Sequence, residues 1–388
     1  IAAAVGLGTG IGAGSFAARM LGAGKILQAR QTAGQIFFLS FLFGAVMILS
    51  VLLFGDEIIL AFGATQEIMP LCRDYLYIVT FCAPFGLFTL MANNLLRAEG
   101  RPLFSMYVFL VTFAVSVILD PLLIFGIGPF PRMGIKGVAV AVLTANLLSF
   151  IFSLIFLTLK SSRFAFELKY ARPDLQIIKS IYSTGLPSMM TDLIIVFFMV
   201  VYNHALAGYS FRAIAAFGIV FRITSMAAMV VLGIGAGLMP VVAYNKGAKL
   251  YQRLRDSVSA ALKISLSFSA VAFILIEIFA APIVGLFSKD PDLVIMGTEN
   301  LRIHALALMM IAYFIIIINV FMGLGKGSLA MFLLFFRDVI VFIPLLMIMS
   351  LFWEVRGAWS AFPLSNLIAI FVVAYLTKKE MRRYNAEN

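Results

Sequence analysis

Gly10-Ile11-Gly12-Ala13-Gly14 recurs letter for letter as Gly233-Ile234-Gly235-Ala236-Gly237, 223 positions later. Small residues are common where helices pack closely inside a bilayer, so five such letters prove little alone. Other matches follow in the same order. Asn94-Leu95-Leu96-Arg97-Ala98-Glu99-Gly100 pairs with Asn319-Val320-Phe321-Met322-Gly323-Leu324-Gly325 at an offset of 225, and Pro121-Leu122-Leu123 pairs with Pro344-Leu345-Leu346 at 223. Gly137, Ala139 and Ala141 lie opposite Gly357 and Ala361, near 220. Near-constant offsets over most of the chain predict two homologous halves.

Composition says what those halves are made of. Of 388 residues, 63% are hydrophobic and 12% charged, and the mean hydropathy is +1.06. An ordinary soluble domain is about half apolar and a quarter charged. That excess cannot be hidden inside a water-soluble globule, which excludes a cytosolic enzyme, a disordered chain and a disulfide scaffold. Apolar runs of about twenty residues, rather than alternating ten-residue segments, predict an all-α, polytopic membrane protein and not a β-barrel. Cys72 and Cys82 sit in apolar surroundings and suggest neither a metal site nor a disulfide. The chain has no GxxxxGK[ST] phosphate loop, no HExxH and only two histidines, so no ATPase or metalloprotease chemistry, no cofactor and no nucleic-acid partner is expected.

Charges and Gly/Pro breaks divide the sequence into eleven spans, near 1–19, 33–54, 74–96, 103–126, 135–159, 186–207, 215–244, 258–287, 302–323, 328–352 and 358–377. Each can cross about 30 Å of hydrocarbon at 1.5 Å per residue. With the loop after the first span in the cytoplasm, nineteen of the twenty-nine Lys and Arg residues fall on the cytoplasmic side and five on the other. This positive-inside bias places the C-terminus in the cytoplasm of a cell (plasma or inner) membrane. The second half holds a full span before its glycine motif, while the first has nine residues before Gly10. The repeat therefore predicts a twelve-span protein of six plus six, of which eleven spans are present. An N-lobe over 1–165 and a C-lobe over 166–388 would be joined by the basic stretch 160–179.

Several stretches now carry a family resemblance. They are Ala18-Arg19-Met20-Leu21-Gly22-Ala23-Gly24-Lys25, Asn94 to Pro102, Ile118-Leu119-Asp120-Pro121-Leu122-Leu123-Ile124-Phe125, Met133 to Ala139, Tyr209 to Arg222, and Pro240-Val241-Val242-Ala243-Tyr244-Asn245. In this order they resemble the multidrug and toxin extrusion (MATE) family, on its DinF-like side. The resemblance implies a V-shaped fold of two six-helix lobes that rock between inward- and outward-open states. It implies a secondary active antiporter that exports organic, often cationic and amphipathic, drugs in exchange for H⁺ or Na⁺, embedded among membrane lipids and working as a monomer. The alternative is a flippase for lipid-linked precursors from the same superfamily. That reading needs a strongly basic cavity, which only Arg222, Arg302 and Arg337 could supply.

A charged side chain in hydrocarbon costs about 3 kcal/mol on insertion scales, so each one needs an explanation. Asp120 is the leading ion-coupling candidate. Pro121 frees the Val117 carbonyl as an acceptor for a proton or Na⁺. Where relatives in one branch carry Asn a turn earlier, this chain has Ser116, whose hydroxyl could bond the carboxyl. Asp192 and Glu277 are further coupling candidates: Asp192 as a second Na⁺ position, Glu277 as either coupling-competent or paired with Lys263 or Arg302. Asn94 and Asn319 are expected at matching places on a shared cavity. Met189, Met190, Met226 and Met229 would add an adaptable apolar lining. Arg222 is expected to hold a lobe together. Arg337 and Asp338, about 100° apart on an α-helix, are expected to find partners on other helices rather than each other.

Overall fold

The computed structural model describes residues 2–61, 65–159 and 162–386; the side chains of Asp192 and of 383–386 lie outside the described residues. The elements are helical throughout. In the first half they are α1 (Ala2–Gly22), α2 (Ile26–Ala61), α3 (Met69–Thr80), α4 (Ala83–Ala98), α5 (Pro102–Phe125) and α6 (Ile135–Thr158), followed by a short 3₁₀ turn at Leu168–Ala171. Then come α7 (Leu175–Ala207), α8 (Phe211–Gly247), α9 (Tyr251–Gly285), α10 (Pro291–Ala305), α11 (Leu308–Gly323), α12 (Gly327–Phe335), a π-helical turn (Phe336–Val341) and α13 (Phe342–Ala386). Local chemistry sets many starts. Pro102 and Pro291 occupy first helical turns, and the side chains of Ser210 and Asp290 accept from the amides of Ala213 and Asp292.

Among the described residues, seven helices are long and apolar enough to cross a membrane, and two bent pairs, α3 with α4 and α10 with α11, bring the number to nine. The run 327–382 counts once in that number, yet its 56 residues would reach about 84 Å as one rod. It breaks at Trp353 and Glu354, the latter at φ 47°, ψ −132°, and doubles back so that Gly357 sits against the Met349 carbonyl. It therefore crosses twice. With α1, 21 residues long but glycine-rich, the eleven spans read from the sequence are all found as helices.

The halves repeat at one register. α1 ends at Gly22 and α8 at Gly247; α2 begins at Ile26 and α9 at Tyr251; α4 begins at Ala83 and α11 at Leu308. Non-helical dihedrals interrupt α2 at Phe54 and α9 at Phe279. The two bent pairs turn by 50° and 49°. Every one of these equivalences is an offset of 225. The glycine motif obeys the same offset, not the 223 of its letters. A Cβ on Gly10 would fall 2.7 Å from Asn94 Nδ2, and one on Gly235 would fall 2.6 Å from Asn319 Nδ2. Glycine at every second position hides a slip of two residues, although such a slip turns a helix by about 200°.

Past α12 the extra residue of the π turn raises the offset to 226. Gly137 packs on the Leu123 carbonyl as Gly357 packs on that of Met349. A shorter loop then lowers it to 220, where Asn146 Nδ2 donates to the Val142 carbonyl and Asn366 Nδ2 to that of Phe362, both at 2.9 Å. Pro344 is thus no counterpart of Pro121; Met347 occupies that place.

The chain divides into two compact units, Ile1–Leu186 and Pro187–Asn388. The first turns of α7 belong with unit 1 because they pack on α1. A Cβ on Gly12 would lie 2.2 Å from the Ile181 carbonyl oxygen, and the Thr9 and Tyr182 hydroxyls share a hydrogen bond of 3.2 Å.

After α8 the chain turns through a left-handed residue, Lys249 (φ 57°); the same turn after α1 uses Gly24 (φ 75°). A side chain in that region costs about 1 kcal/mol. Lys249→Gly is therefore expected to raise the thermal unfolding midpoint in detergent, and Gly24→Lys to lower it by a similar amount.

Candidate functional site

Asp120 lies about 27 Å along α5, in the last turns before the Gly126 cap. Pro121 follows inside the helix and offers no N–H to the Val117 carbonyl. The loop then folds back: Met133 N donates to the Leu123 carbonyl at 2.9 Å, and Arg132 backs onto Gly126. Within this fold the Asp120 side chain is half-buried, and its Oδ1 is fully buried with no hydrogen-bond partner among the described residues. Ser116, one turn earlier and half-buried, does not supply the missing donor. A buried carboxylate oxygen without a donor is costly, and a proton or a cation relieves that cost. Among the described residues no three His, Cys, Asp or Glu side chains converge, so a cation here would have to draw on carbonyls such as that of Val117.

The paired asparagines behave as a pair, but not as an open lining. Asn94 Nδ2 donates to the Leu90 carbonyl at 3.1 Å and Asn319 Nδ2 to that of Ile315 at 2.9 Å. Each amide fills the space left by a glycine on the facing helix, Gly10 or Gly235. Asn94 is 5% exposed, so it is a helix-packing residue of unit 1. Met226 and Met229 are strongly exposed on α8, and Met189 and Met190 are half-buried on α7. The Asp192 side chain lies outside the described residues.

Four charged positions differ from expectation or resolve an open choice. Arg337 and Asp338 do neutralise each other: Nε donates to Oδ1 at 2.6 Å and Nη2 to Oδ2 at 3.0 Å. The 100° argument fails because both lie on the π turn, which winds more widely than an α-helix. The cross-helix partner is a ring instead, since the Arg337 guanidinium sits 4.2 Å from the centroid of Phe314 on α11. Glu277 pairs with Arg302 at 3.7 Å. Arg222 is exposed and has no hydrogen bond or ion pair among the described residues, so it does not brace unit 2.

Further polar contacts tie helix ends together within each unit. Glu99 accepts from Ser162 Oγ at 3.1 Å and from the Arg163 amide at 2.5 Å, tying the end of α4 to the segment after α6. Asn93 accepts from Arg97 Nη2 at 2.9 Å and from the Ser105 hydroxyl, joining α4 to α5. Lys326, the 225-offset counterpart of Arg101, pairs with Glu380 near the end of α13. The available signal was the repeat: each half carries a basic residue just before its fifth helix.

The MatE family model matches residues 1–122 and 187–348. The multidrug export protein MepA of Staphylococcus aureus (strain MSSA476) is 28% identical over 382 residues, covering 97% of this chain and 83% of that protein. A multidrug resistance MATE family transporter of the MOP superfamily, solved in an outward-facing conformation, superposes with a TM-score of 0.89 at 24% identity, over 98% of this chain and 85% of that one. The Vibrio cholerae MATE transporter VcmN in its bent form gives 0.91 at 22% identity, over 99% and 86%.

The Arg337–Asp338 side chains are 13% and 5% exposed. Removing one member of such a pair leaves a buried charge alone, at a cost of about 3–5 kcal/mol. Asp338→Ala is expected to destabilise strongly, whereas the double change Arg337→Met with Asp338→Leu should cost clearly less. A double-mutant cycle on unfolding midpoints measures the difference.

Proposed function

Because this chain belongs to the MatE family, we propose that it is a secondary active exporter of chemically varied drugs, above all amphipathic organic cations, driven by exchange for H⁺ or Na⁺. The observation that carries the coupling is the Asp120 carboxylate, with one oxygen buried and unserved among the described residues, on a helix where Pro121 leaves the Val117 carbonyl without its usual donor. Loading that site with a proton or Na⁺ stabilises the arrangement that encloses it. Releasing the ion on the other side of the membrane favours the alternative arrangement. Ion and drug must then alter each other's affinity by the same factor. The names of the relatives support multidrug export, and a scaffold built twice suits alternating access.

The exposed methionines Met226 and Met229, on α8 with Arg222, supply an adaptable apolar surface for unlike ligands. The bias of Lys and Arg toward one set of loops supports a plasma-membrane protein with a cytoplasmic C-terminus. The flippase reading loses support, because two of its three arginines, Arg302 and Arg337, already face carboxylates.

Reconstituted protein is expected to move ethidium against its gradient when a pH or Na⁺ gradient is imposed, and the two gradients applied separately identify the ion. Asp120→Asn should abolish exchange at least tenfold while leaving the unfolding midpoint near that of the wild type. Glu277→Gln, whose carboxylate is spent on Arg302, should retain exchange. Wild-type flux in the Asp120→Asn variant would remove Asp120 from the mechanism.

A further inference from the structure

The segment between α6 and α7 is strapped to α2, and beside the strap lies a cavity of about 620 Å³ in unit 1. Gln35 makes the strap. Its side chain is buried; Nε2 donates to the carbonyls of Arg172 and Tyr170 at 2.8 and 3.2 Å, and Oε1 accepts from the Asp174 amide at 3.0 Å. Gly34 lets the segment come this close, since a Cβ there would fall 1.9 Å from the Tyr170 carbonyl oxygen. The turn therefore holds its shape without a ligand. Two carbonyl oxygens that would repel an anion are already bonded to Gln35.

Charge around the cavity does not cancel. The stretch 162–179 holds Arg163, Lys169, Arg172 and Lys179 against Glu167 and Asp174. Both acids are spent locally. Glu167 pairs with Lys169 at 2.6 Å, and Asp174 Oδ1 accepts from the amides of Gln176 and Ile177 at the start of α7. On the cavity wall the exposed Arg172 guanidinium and the half-buried Gln31 amide have no hydrogen bond or ion pair among the described residues. A guanidinium fork with a second N–H donor beside it suits the oxygens of a phosphate.

The surroundings are apolar as well as basic. Leu175, on the wall, is 80% exposed, and Leu27, one turn before Gln31 on α2, is 57% exposed. The segment joins the ends of two helices long and apolar enough to span a membrane, the level at which helices leave hydrocarbon and lipid phosphates lie. We infer that this cavity holds the phosphate of an anionic membrane lipid, bound by Arg172 and Gln31, with the acyl chains along Leu27 and Leu175. Basic pockets at the ends of membrane helices suit such headgroups. Free inorganic phosphate shares the headgroup chemistry but gains nothing from the leucines.

Native mass spectrometry counts the lipids that stay on the full chain. Titration with dioleoylphosphatidylglycerol is expected to fill one site ahead of all others, whereas dioleoylphosphatidylcholine should show only even, stepwise uptake. Arg172→Gln, whose side chain supports no contact of the fold, should weaken the first phosphatidylglycerol about fivefold, the worth of one basic side chain at an anionic headgroup. Arg253→Gln removes the same charge from an exposed place in unit 2 and should leave that first constant within about twofold of the wild type. Equal binding of the two lipids, an unchanged constant in Arg172→Gln, or an equal loss in Arg253→Gln would each overturn the inference. Displacement of the lipid by millimolar inorganic phosphate would overturn it too, in favour of the free ion. No flux enters this measurement, so its failure leaves the antiport reading standing, and failure of gradient-driven export leaves this one untouched.

Discussion

Two helices approach closely in a bilayer only where one gives up its side chains, and this chain does so at Gly10 and Gly235. Into each gap goes the amide of an asparagine four residues beyond a carbonyl that it caps. Both halves hang on this contact. It sets α1 on α4 and α8 on α11. The amides make a hydrocarbon-buried seam polar without leaving a polar group unserved. An alanine–leucine seam could not specify register so sharply, since any apolar shift of a turn would pack almost as well.

The bends follow from the same setting. Hydrocarbon offers no water to a freed backbone group, so a helix can break there only where protein or a cavity takes over the bond. The chain breaks α2 at Phe54 and α9 at Phe279, and bends between α3 and α4 by nearly the same angle as between α10 and α11. Recurrence of a break at one offset in two sequences that have otherwise diverged points to a geometric requirement rather than an accident of sequence. Only the second copy has a nearby proline, Pro282, three residues on; the first has Gly55. Different residues produce the same bend because the packing around it is what persists.

Much of this could be read from letters, and the rest could not for definable reasons. Apolar runs between charged loops identified the helices, and the Asn94–Asn319 match held the true register. The glycine motif misled by two residues because its own period is two. Pro344 misled because the π turn before it inserts a residue that no pattern of hydrophobicity records. The same turn defeated the geometry assumed for Arg337 and Asp338, since 100° per residue is a property of the α-helix alone. Asp120 was legible as an intramembrane carboxyl; that Ser116 leaves its oxygen unserved was not, because hydroxyl rotamers leave no trace in sequence.

The symmetry of the scaffold makes one chemical asymmetry informative. Carrying Asp120 across the repeat at the local offset of 226 leads to Leu346, which is 2% exposed and packs in the aromatic core with Phe342 and Tyr202. One copy thus carries a carboxylate at this place and the other a leucine sealed into hydrocarbon. The second copy has its own buried acid nearby, Asp338, but spends it on the adjacent Arg337. Two equal ion sites would load and empty together and bias neither of two arrangements over the other. If an ion is taken up at Asp120, as proposed above, it changes the energy of one half and not the other, because no carboxyl stands at the equivalent place in the second.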